Sequence, residues 1–535
     1  MSVFIGYPSF MAYQMMKGKK DNNDGFPSIP GMIARYSASG LTNEQMKENP
    51  VWVDKTGNGH DLQMKNFSWK GMNGYGDENH QTFYKFTLDD YVFIATPPGV
   101  KHMNFTFRVT GLQPRNKLTL AFFGTTNTVY GTWDKDGIYT VDADIVEAGK
   151  PTYFYNGYGA TRGEFTIEIL PLYPGALVFD GVDDWAGCDN LPLLPKEKGY
   201  SIIALRNWIT RYDATQYKRP LISNLDTSDE GAFLIEYRKD ENVNDVTGSY
   251  NSFTDVYIDD NNPITWQTSS SYNGQIIKKG TSKPSNKLCI CKTYFGQLSK
   301  YANAAIWEIV ILDHDATEEE LTKIKDYFVK TYPWLFPDQA WTVTGKTNED
   351  EDRATIANIT GNGNNLVLSN FGFAEGSGYN EEGEYAGYLV TDGVDDKIAS
   401  SDFKIDKDFT IVGDWKFIID ENKGCGLVKV PKLYIYNSKT GLDIYINSNS
   451  IKNILSGIKG LNAVCSDGRI YDCNWNEISV KYGNIVDIDS SFQIANSSNY
   501  ITKMAFKNLG IYNNQILSKD DCIKAYNYLQ TLKAK

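Results

Sequence analysis

The chain has 535 residues, 41% of them hydrophobic and 13% aromatic, with a net charge of −13 and a pI near 5.0. That length exceeds a single core and sets an expectation of about three or four domains, while the hydrophobic share excludes wholesale disorder. The acidic balance, with no long basic stripe, argues against a nucleic-acid backbone or an anionic membrane surface as partner.

Seven cysteines at irregular spacing form neither a disulfide framework nor a zinc pattern, and four histidines leave little for a histidine-rich metal site. The thiols read as reduced, buried small hydrophobes of a chain folded in a cytoplasm. Met1-Ser2-Val3-Phe4-Ile5-Gly6-Tyr7-Pro8 has no leading positive charge and breaks early at Gly6 and Pro8, so no Sec or lipoprotein signal is expected. No apolar run is long enough to span a bilayer. Export, if the protein works outside a cell, is expected through lysis or a dedicated machine.

Residues 1–30 are too few for their own core and form an arm, which either packs on the next domain or docks on a partner protein. Residues 31–78 begin with a strand at Met32–Tyr36 and reach Asp54-Lys55-Thr56-Gly57-Asn58-Gly59, where Asn-Gly signals a turn. Leu62 and Met64 alternate with polar residues as a second strand. The stretch Leu177-Val178-Phe179-Asp180-Gly181-Val182-Asp183-Asp184 follows much later.

The same two segments recur, in the same order, as Thr360-Gly361-Asn362-Gly363 and Tyr388-Leu389-Val390-Thr391-Asp392-Gly393-Val394-Asp395-Asp396. Each copy also carries an Asn-Phe pair after the first segment, Asn66-Phe67 and Asn370-Phe371. The pattern predicts two copies of one domain. Gly57 and Gly181 lie 124 positions apart and Gly361 and Gly393 only 32. About 92 residues are therefore inserted into the first copy, within roughly 79–172. Strand candidates there are 91–95, 105–110, 118–123, 137–141 and 165–170, enough for a small β-sandwich. Tyr153, Tyr155 and Tyr158 fall in an aromatic, glycine-containing stretch that reads as a loop.

Residues 173–337 complete the first copy with strands at 200–205, 220–223, 232–237, 255–258, 263–267 and 304–312. A helix then opens on the capping box Thr317-Glu318-Glu319-Glu320 and stops at Pro333. Residues 338–535 repeat the plan, with strands at 409–412, 415–419 and 504–512 and a closing helix from Ser518. The expected fold is all-β: two jelly-roll sandwiches, each closed by a short C-terminal helix, plus one small inserted β-sandwich.

A strand ending in Phe-Asp-Gly-x-Asp-Asp, followed by antiparallel strands and a short capped helix, resembles the laminin-G/concanavalin A-like jelly roll over most of 173–337 and 385–535. The resemblance implies that Phe179 points into the core and that Asp-Gly makes a tight turn; Thr391 stands in the place of Phe179 in the second copy. The whole arrangement also resembles structural proteins of crAss-like phages of gut Bacteroidetes. That likeness implies a virion fibre, spike or decoration protein, anchored by its N-terminal arm to other virion proteins. It would be homo-oligomeric and face host surface polysaccharide.

The aspartates of the repeated motif admit calcium, yet they lack the dense spacing of an EF-hand loop, and capping of a turn is the simpler role. No cofactor is expected. Asp259, Asp260 and Asn262, with Tyr257 before and Trp266 after, are candidates for sugar contact, because carboxylate and amide groups suit paired hydroxyls and aromatic faces suit a pyranose ring. A plain hairpin with Trp266 in the core is the competing view. Tyr153, Tyr155 and Tyr158 suit an interface. No serine elbow, zinc-protease or nucleotide-loop motif is present, so a non-enzymatic protein is expected. A polysaccharide-degrading enzyme and a pure assembly protein remain the alternatives.

Overall fold

The computed structural model describes residues 24–69, 74–75, 83–86, 91–94, 102–112, 117–122, 128–144, 152–156, 165–170, 172–194, 197–209, 218–227, 230–238, 254–257, 261–277, 281–294, 301–374, 376–381, 385–418, 425–430, 433–438, 441–446, 449–451, 460–479, 488–494, 496–497, 500–501 and 503–534. The chain divides into two compact units, Met1–Asn79 with Gly175–Thr331, and His80–Pro174 with Tyr332–Lys535. The strands inserted into the first jelly roll thus group with the second one, which nothing in the sequence announced.

The first unit is a jelly roll of two sheets. One carries, in spatial order, Gln275–Ile276, Ser271–Tyr272, Ile264–Thr268, Ser201–Trp208, Asn303–Leu312, Leu177–Asp180 and Gly74–Tyr75, with Met32–Ser37 also paired to Asn303–Leu312. The other runs Thr254–Tyr257, Phe233–Arg238, Lys218–Ser223, Leu288–Ile290, Trp185–Cys188, Leu62–Lys65 and Val51–Trp52. Between them lie Tyr36, Trp52, Leu62, Phe179, Ile202, Ile290 and Ile306, all fully buried. Phe179 packs edge-on against Phe67 at 5.1 Å, so the expected core contact is present. At the start of this unit Arg35 bonds Asp24 (2.7 Å), Glu308 (3.2 Å) and the Tyr327 hydroxyl (2.9 Å), with Phe26 stacked on its guanidinium. Residues 24–30 of the arm are therefore held on the sheet; residues 1–23 lie outside the described residues.

The second jelly roll repeats this order. Its first sheet reads Glu477–Ser479, Arg469–Asp472, Gly460–Cys465, Phe409–Phe417, Met504–Asn513, Tyr388–Val390 and Gly378–Asn380, with Gln339–Thr342 paired to Met504–Asn513. The second sheet runs from Thr355–Ile356 and Leu366–Ser369 through Lys397–Ile405, Ile488–Ile494, Cys425–Val430 and Leu433–Ser438 to Gly441–Ile446 and Asn449–Ile451. Even a bulge is shared: register slips at Leu205/Arg206 in the first copy and at Asp414/Trp415 in the second. The copies part at one edge, where Thr254–Tyr257 joins its neighbour in parallel and Gly441–Ile446 joins in antiparallel. Thr391 is buried where Phe179 stands, and its hydroxyl accepts the Met504 N–H at 3.0 Å.

Both helices begin as their caps dictate. The Thr317 hydroxyl accepts the Glu320 N–H while the Glu320 carboxylate accepts the Thr317 N–H at 2.9 Å, and the Ser518 hydroxyl accepts the Asp521 N–H at 3.1 Å. In the second copy the helix lies so close to the sheet that a Cβ at Gly510 would come within 3.2 Å of Leu529. A short helix, Asn43–Glu48, with its own Thr42/Gln45 capping box, was not foreseen.

The inserted residues form two four-stranded sheets, one of Gly137–Asp144, His102–Thr110, Phe165–Leu170 and Phe83–Phe86, the other of Tyr91–Ile94, Thr152–Asn156, Leu118–Phe122 and Thr128–Trp133. Phe107, Val109, Leu120, Phe154 and Ile167 fill the space between them. Tyr153 and Tyr155 are not in a loop: they lie on the inner strand Thr152–Asn156, whose alternation sends Phe154 into the core. Tyr158 lies outside the described residues.

The repeated segments meet in space. The Asn66 side-chain amide donates to the Asp183 carbonyl at 2.9 Å, and Asn370 donates to Asp395 at 3.0 Å. Both asparagines sit at φ near +69°, 68° and 69° respectively, a conformation that costs most side chains about 1–2 kcal/mol. Asn370→Ala is expected to destabilise the second jelly roll by about 2 kcal/mol through strain plus the lost bond, and Asn370→Gly by about half of that. Denaturant midpoints of the two variants check the order.

Candidate binding site

The repeated aspartates come first, because three carboxylates converge in each copy: Asp180, Asp183 and Asp184, and Asp392, Asp395 and Asp396. Their oxygens already have work. Asp180 Oδ1 accepts the Val182 N–H at 2.8 Å and the Asp183 N–H at 3.4 Å, and Asp184 Oδ2 accepts the Asp180 N–H at 3.1 Å. Asp392 and Asp396 do the same at 2.7, 3.3 and 2.7 Å. Gly181 supplies the φ of +75° that this turn requires, and a Cβ there would meet Asn303 at 2.7 Å.

Burial pushes the Asp396 carboxyl up to about 6, against the hydrogen bonds from Asp392 N–H and the Ser377 hydroxyl, which pull it down. A raised carboxyl means that the folded chain holds a proton that the unfolded chain has released, between the ordinary aspartate range and about pH 6. Stability from this group is thus greatest in acid and falls as pH rises through that window. Asp396→Asn is expected to melt higher than the unsubstituted chain at pH 7.5, with the gap closing towards pH 4. Calcium is expected to leave both melting temperatures unchanged. A calcium-dependent rise abolished by Asp396→Asn would instead make the motif a metal site.

The residues singled out for sugar contact do not assemble as one group. Tyr257 ends the edge strand of the seven-stranded sheet, whereas Trp266 sits half-buried in the eight-stranded sheet, opposite Ile203. Asp259 and Asp260 lie outside the described residues. Asn262 is exposed, and its Oδ1 accepts the Ile264 N–H at 3.0 Å, the bond of a local turn.

A cavity of about 330 Å³ opens instead in the second unit. Its floor is the outer face of the strand Phe409–Phe417, where Asp414 and Lys416 share one side. Asn462 enters from the neighbouring strand Gly460–Cys465, Tyr388 from the strand beyond Met504–Asn513 on the other side, and Tyr526 from the closing helix. Asn474 and Trp475 rise from the turn after Arg469–Asp472, and the inserted sandwich contributes Trp133, Ile138 and Tyr139.

These groups are held firmly. Asp414, buried, takes Tyr388 Oη at 2.8 Å and Gln530 Nε2 at 3.2 Å on one oxygen and stands 2.9 Å from Lys416 Nζ on the other. Burial raises its carboxyl, but attraction to Lys416 and Lys507 prevails and holds it below the usual range; the same partnership raises Lys416. Trp475 sits at φ +60°, an outlier for so bulky a side chain. Asp472 keeps it there, one oxygen accepting the N–H groups of Asn474 and Asn476, both at 2.8 Å. The Trp475 ring meets Tyr526 edge-on at 5.7 Å. Asn462 is 2% exposed, and its carbonyl oxygen has no hydrogen-bond partner. None of these residues was foreseen as a site. The one local hint was Cys473-Asn474-Trp475-Asn476, an aromatic between two asparagines.

No family model and no curated protein matches the chain. Among solved structures, Trypanosoma rangeli sialidase aligns over 76% of this chain and 65% of its own at 9% identity and a TM-score of 0.25. The same sialidase in complex with 2,3-difluorosialic acid aligns over 43% and 42% at 9% identity and 0.24. A botulinum neurotoxin serotype D binding domain aligns over 64% and 89% at 9% identity and 0.22. The chain spans less than half of the sialidase in that complex. At these TM-scores the likenesses carry no residue-level or functional correspondence. The class of protein is defined by its own strand order: a tandem β-sandwich protein with two closely matched jelly rolls. Among the described residues no helix is long and apolar enough to cross a membrane.

Proposed function

We propose that this chain is a non-enzymatic saccharide-binding protein displayed on the particle of a tailed phage, as a fibre, spike or decoration subunit. One observation carries the binding part of this reading: the cavity on the second jelly roll, with aromatic rings around fixed polar groups. Ligand sites are mostly apolar concavities with a few placed polar atoms, about 300–1,000 Å³ in volume. A pyranose offers that combination in reverse, an apolar ring face and a rim of hydroxyls. Weak single-site affinity suffices when many copies engage one surface. The display part rests on the likeness of the repeated segments to phage structural proteins.

The rival is a polysaccharide-degrading enzyme. Most glycoside hydrolysis uses two carboxyl groups set across the bond. Among the described lining residues Asp414 is the one carboxylate, and its partners hold it ionised, unsuited to donating a proton. That favours binding. Purified chain is expected to bind surface polysaccharide of a susceptible host on a glycan array without releasing oligosaccharide, and antibody-labelled electron microscopy is expected to find it on the particle surface. Released oligosaccharide would establish the enzyme. Normal incorporation with no glycan bound would leave a pure assembly protein.

A further inference from the structure

We propose that the cavity on the second jelly roll selects an uncharged sugar residue, which donates a hydroxyl or amide hydrogen to Asn462 Oδ1, and rejects acidic sugars. The inference rests on the saccharide-binding reading above and adds what kind of saccharide is taken and which atom reads it.

The first support is the unmet acceptor. Asn462 is almost wholly buried, lines the cavity and has a carbonyl oxygen with no partner. Buried polar groups are nearly always hydrogen-bonded, and one that is not calls for an explanation. A ligand donor at this point supplies the missing bond. The carbonyl accepts only, so the ligand atom must carry a hydrogen.

The second support is charge. The cavity holds one cation and one anion among its described lining residues, Lys416 and Asp414, and they stand 2.9 Å apart. Asp414 is further fixed by Tyr388 and Gln530. A sugar carboxylate would have to compete with Asp414 for Lys416 while sitting near that buried anion. A neutral ring meets no such opposition.

The third is shape. At about 330 Å³ the cavity lies at the small end of ligand sites, suiting one ring at a chain end or branch rather than an extended polymer. Trp133 comes from the inserted sandwich, and Trp475 and Tyr526 from the jelly roll. The half-buried Trp133 ring offers apolar contact to the ring face of a sugar.

The test uses the full chain and saturation-transfer NMR with glucose, galactose, N-acetylglucosamine, glucuronate and N-acetylneuraminate as probes. At least one neutral sugar is expected to give signal and the two acidic ones none. Asn462→Leu, which fills the same space without an acceptor, is expected to fold with an unchanged or higher melting temperature and to bind the neutral probe at least tenfold more weakly. Trp133→Ala, on the inserted sandwich, is expected to weaken binding similarly while leaving the jelly-roll core untouched. Binding of acidic sugars in preference, or neutral binding indifferent to both substitutions, would overturn the selectivity proposed here and leave saccharide binding elsewhere on the protein standing. Silence from all five probes, together with a blank glycan array, would remove the saccharide reading itself.

Discussion

In each jelly roll one side-chain oxygen ties the turn of the first repeated segment to the opening strand. Asp54 Oδ1 gathers the backbone N–H of Arg35 at 3.1 Å and of Thr56 at 3.0 Å, with the Thr56 hydroxyl at 2.8 Å. Asn358 Oδ1 gathers Ala340 N–H, Thr360 N–H and the Thr360 hydroxyl at 3.3, 3.0 and 2.9 Å. Asn58 and Asn362 then reach back to the carbonyls of Ile33 and Asp338, each at 2.8 Å. The far end of the turn is tied by Asp61 and Asn365, whose side-chain oxygens accept the N–H of Asp54 and Asn358, both at 2.9 Å. Aspartate in one copy and asparagine in the other do the same work, so acceptor geometry matters here and formal charge does not. A loop that would otherwise leave several buried amides unmet is thereby welded to the first strand.

The second repeated segment completes that construction. Its aspartates cap the turn between two strands, and Asn66 or Asn370, at the end of the strand that follows the first segment, crosses to hold it. Matching sequence therefore marks matching hydrogen bonds, all of them spent within the fold. The cavity proposed as a saccharide site is lined by residues that the copies do not share. By register against the central strand, Asp414 and Lys416 stand where the first jelly roll has Leu205 and Asn207. Among the described residues the cavity is lined by the second copy and the inserted sandwich.

Much of the scaffold was legible because it obeys local rules. Leu62 and Met64 alternate with Gln63 and Lys65, and the same buried–exposed pattern recurs at Leu366–Ser369. The capping box at Thr317 fixed a helix start to within one residue. The errors have physical causes. Tyr153-Phe154-Tyr155 read as loop because glycines follow it, yet alternation on a central strand needs only one buried face, which Phe154 supplies. Strands expected at 409–412 and 415–419 are one strand, Phe409–Phe417, and the supposed gap is the bulge beside Gly413 and Asp414. A bulge interrupts the ladder and re-aims side chains, and such places are favoured beside sites. The cavity itself was illegible. Its walls come from residues 133 to 526, and only tertiary folding brings them together.

The closing helices show why the second unit differs. Glu318–Thr331 buries Ile324, Tyr327 and Phe328, a single stripe, as an amphipathic helix on a sheet should. Lys519–Gln530 buries eight of its residues, including Tyr526 and Tyr528 on different sides. A helix buried nearly all round needs cover on more than one face. The sheet covers one, at Gly510; the turn Pro333–Leu335 covers another, with Lys524 lying 4.3 Å over the Trp334 ring. Tyr526 faces the cavity that the inserted sandwich helps to wall. The insertion is thus no passive interruption of the first jelly roll. Its residues Trp133, Ile138 and Tyr139 wall the same concavity as Asp414, Lys416 and Asn462 of the second jelly roll.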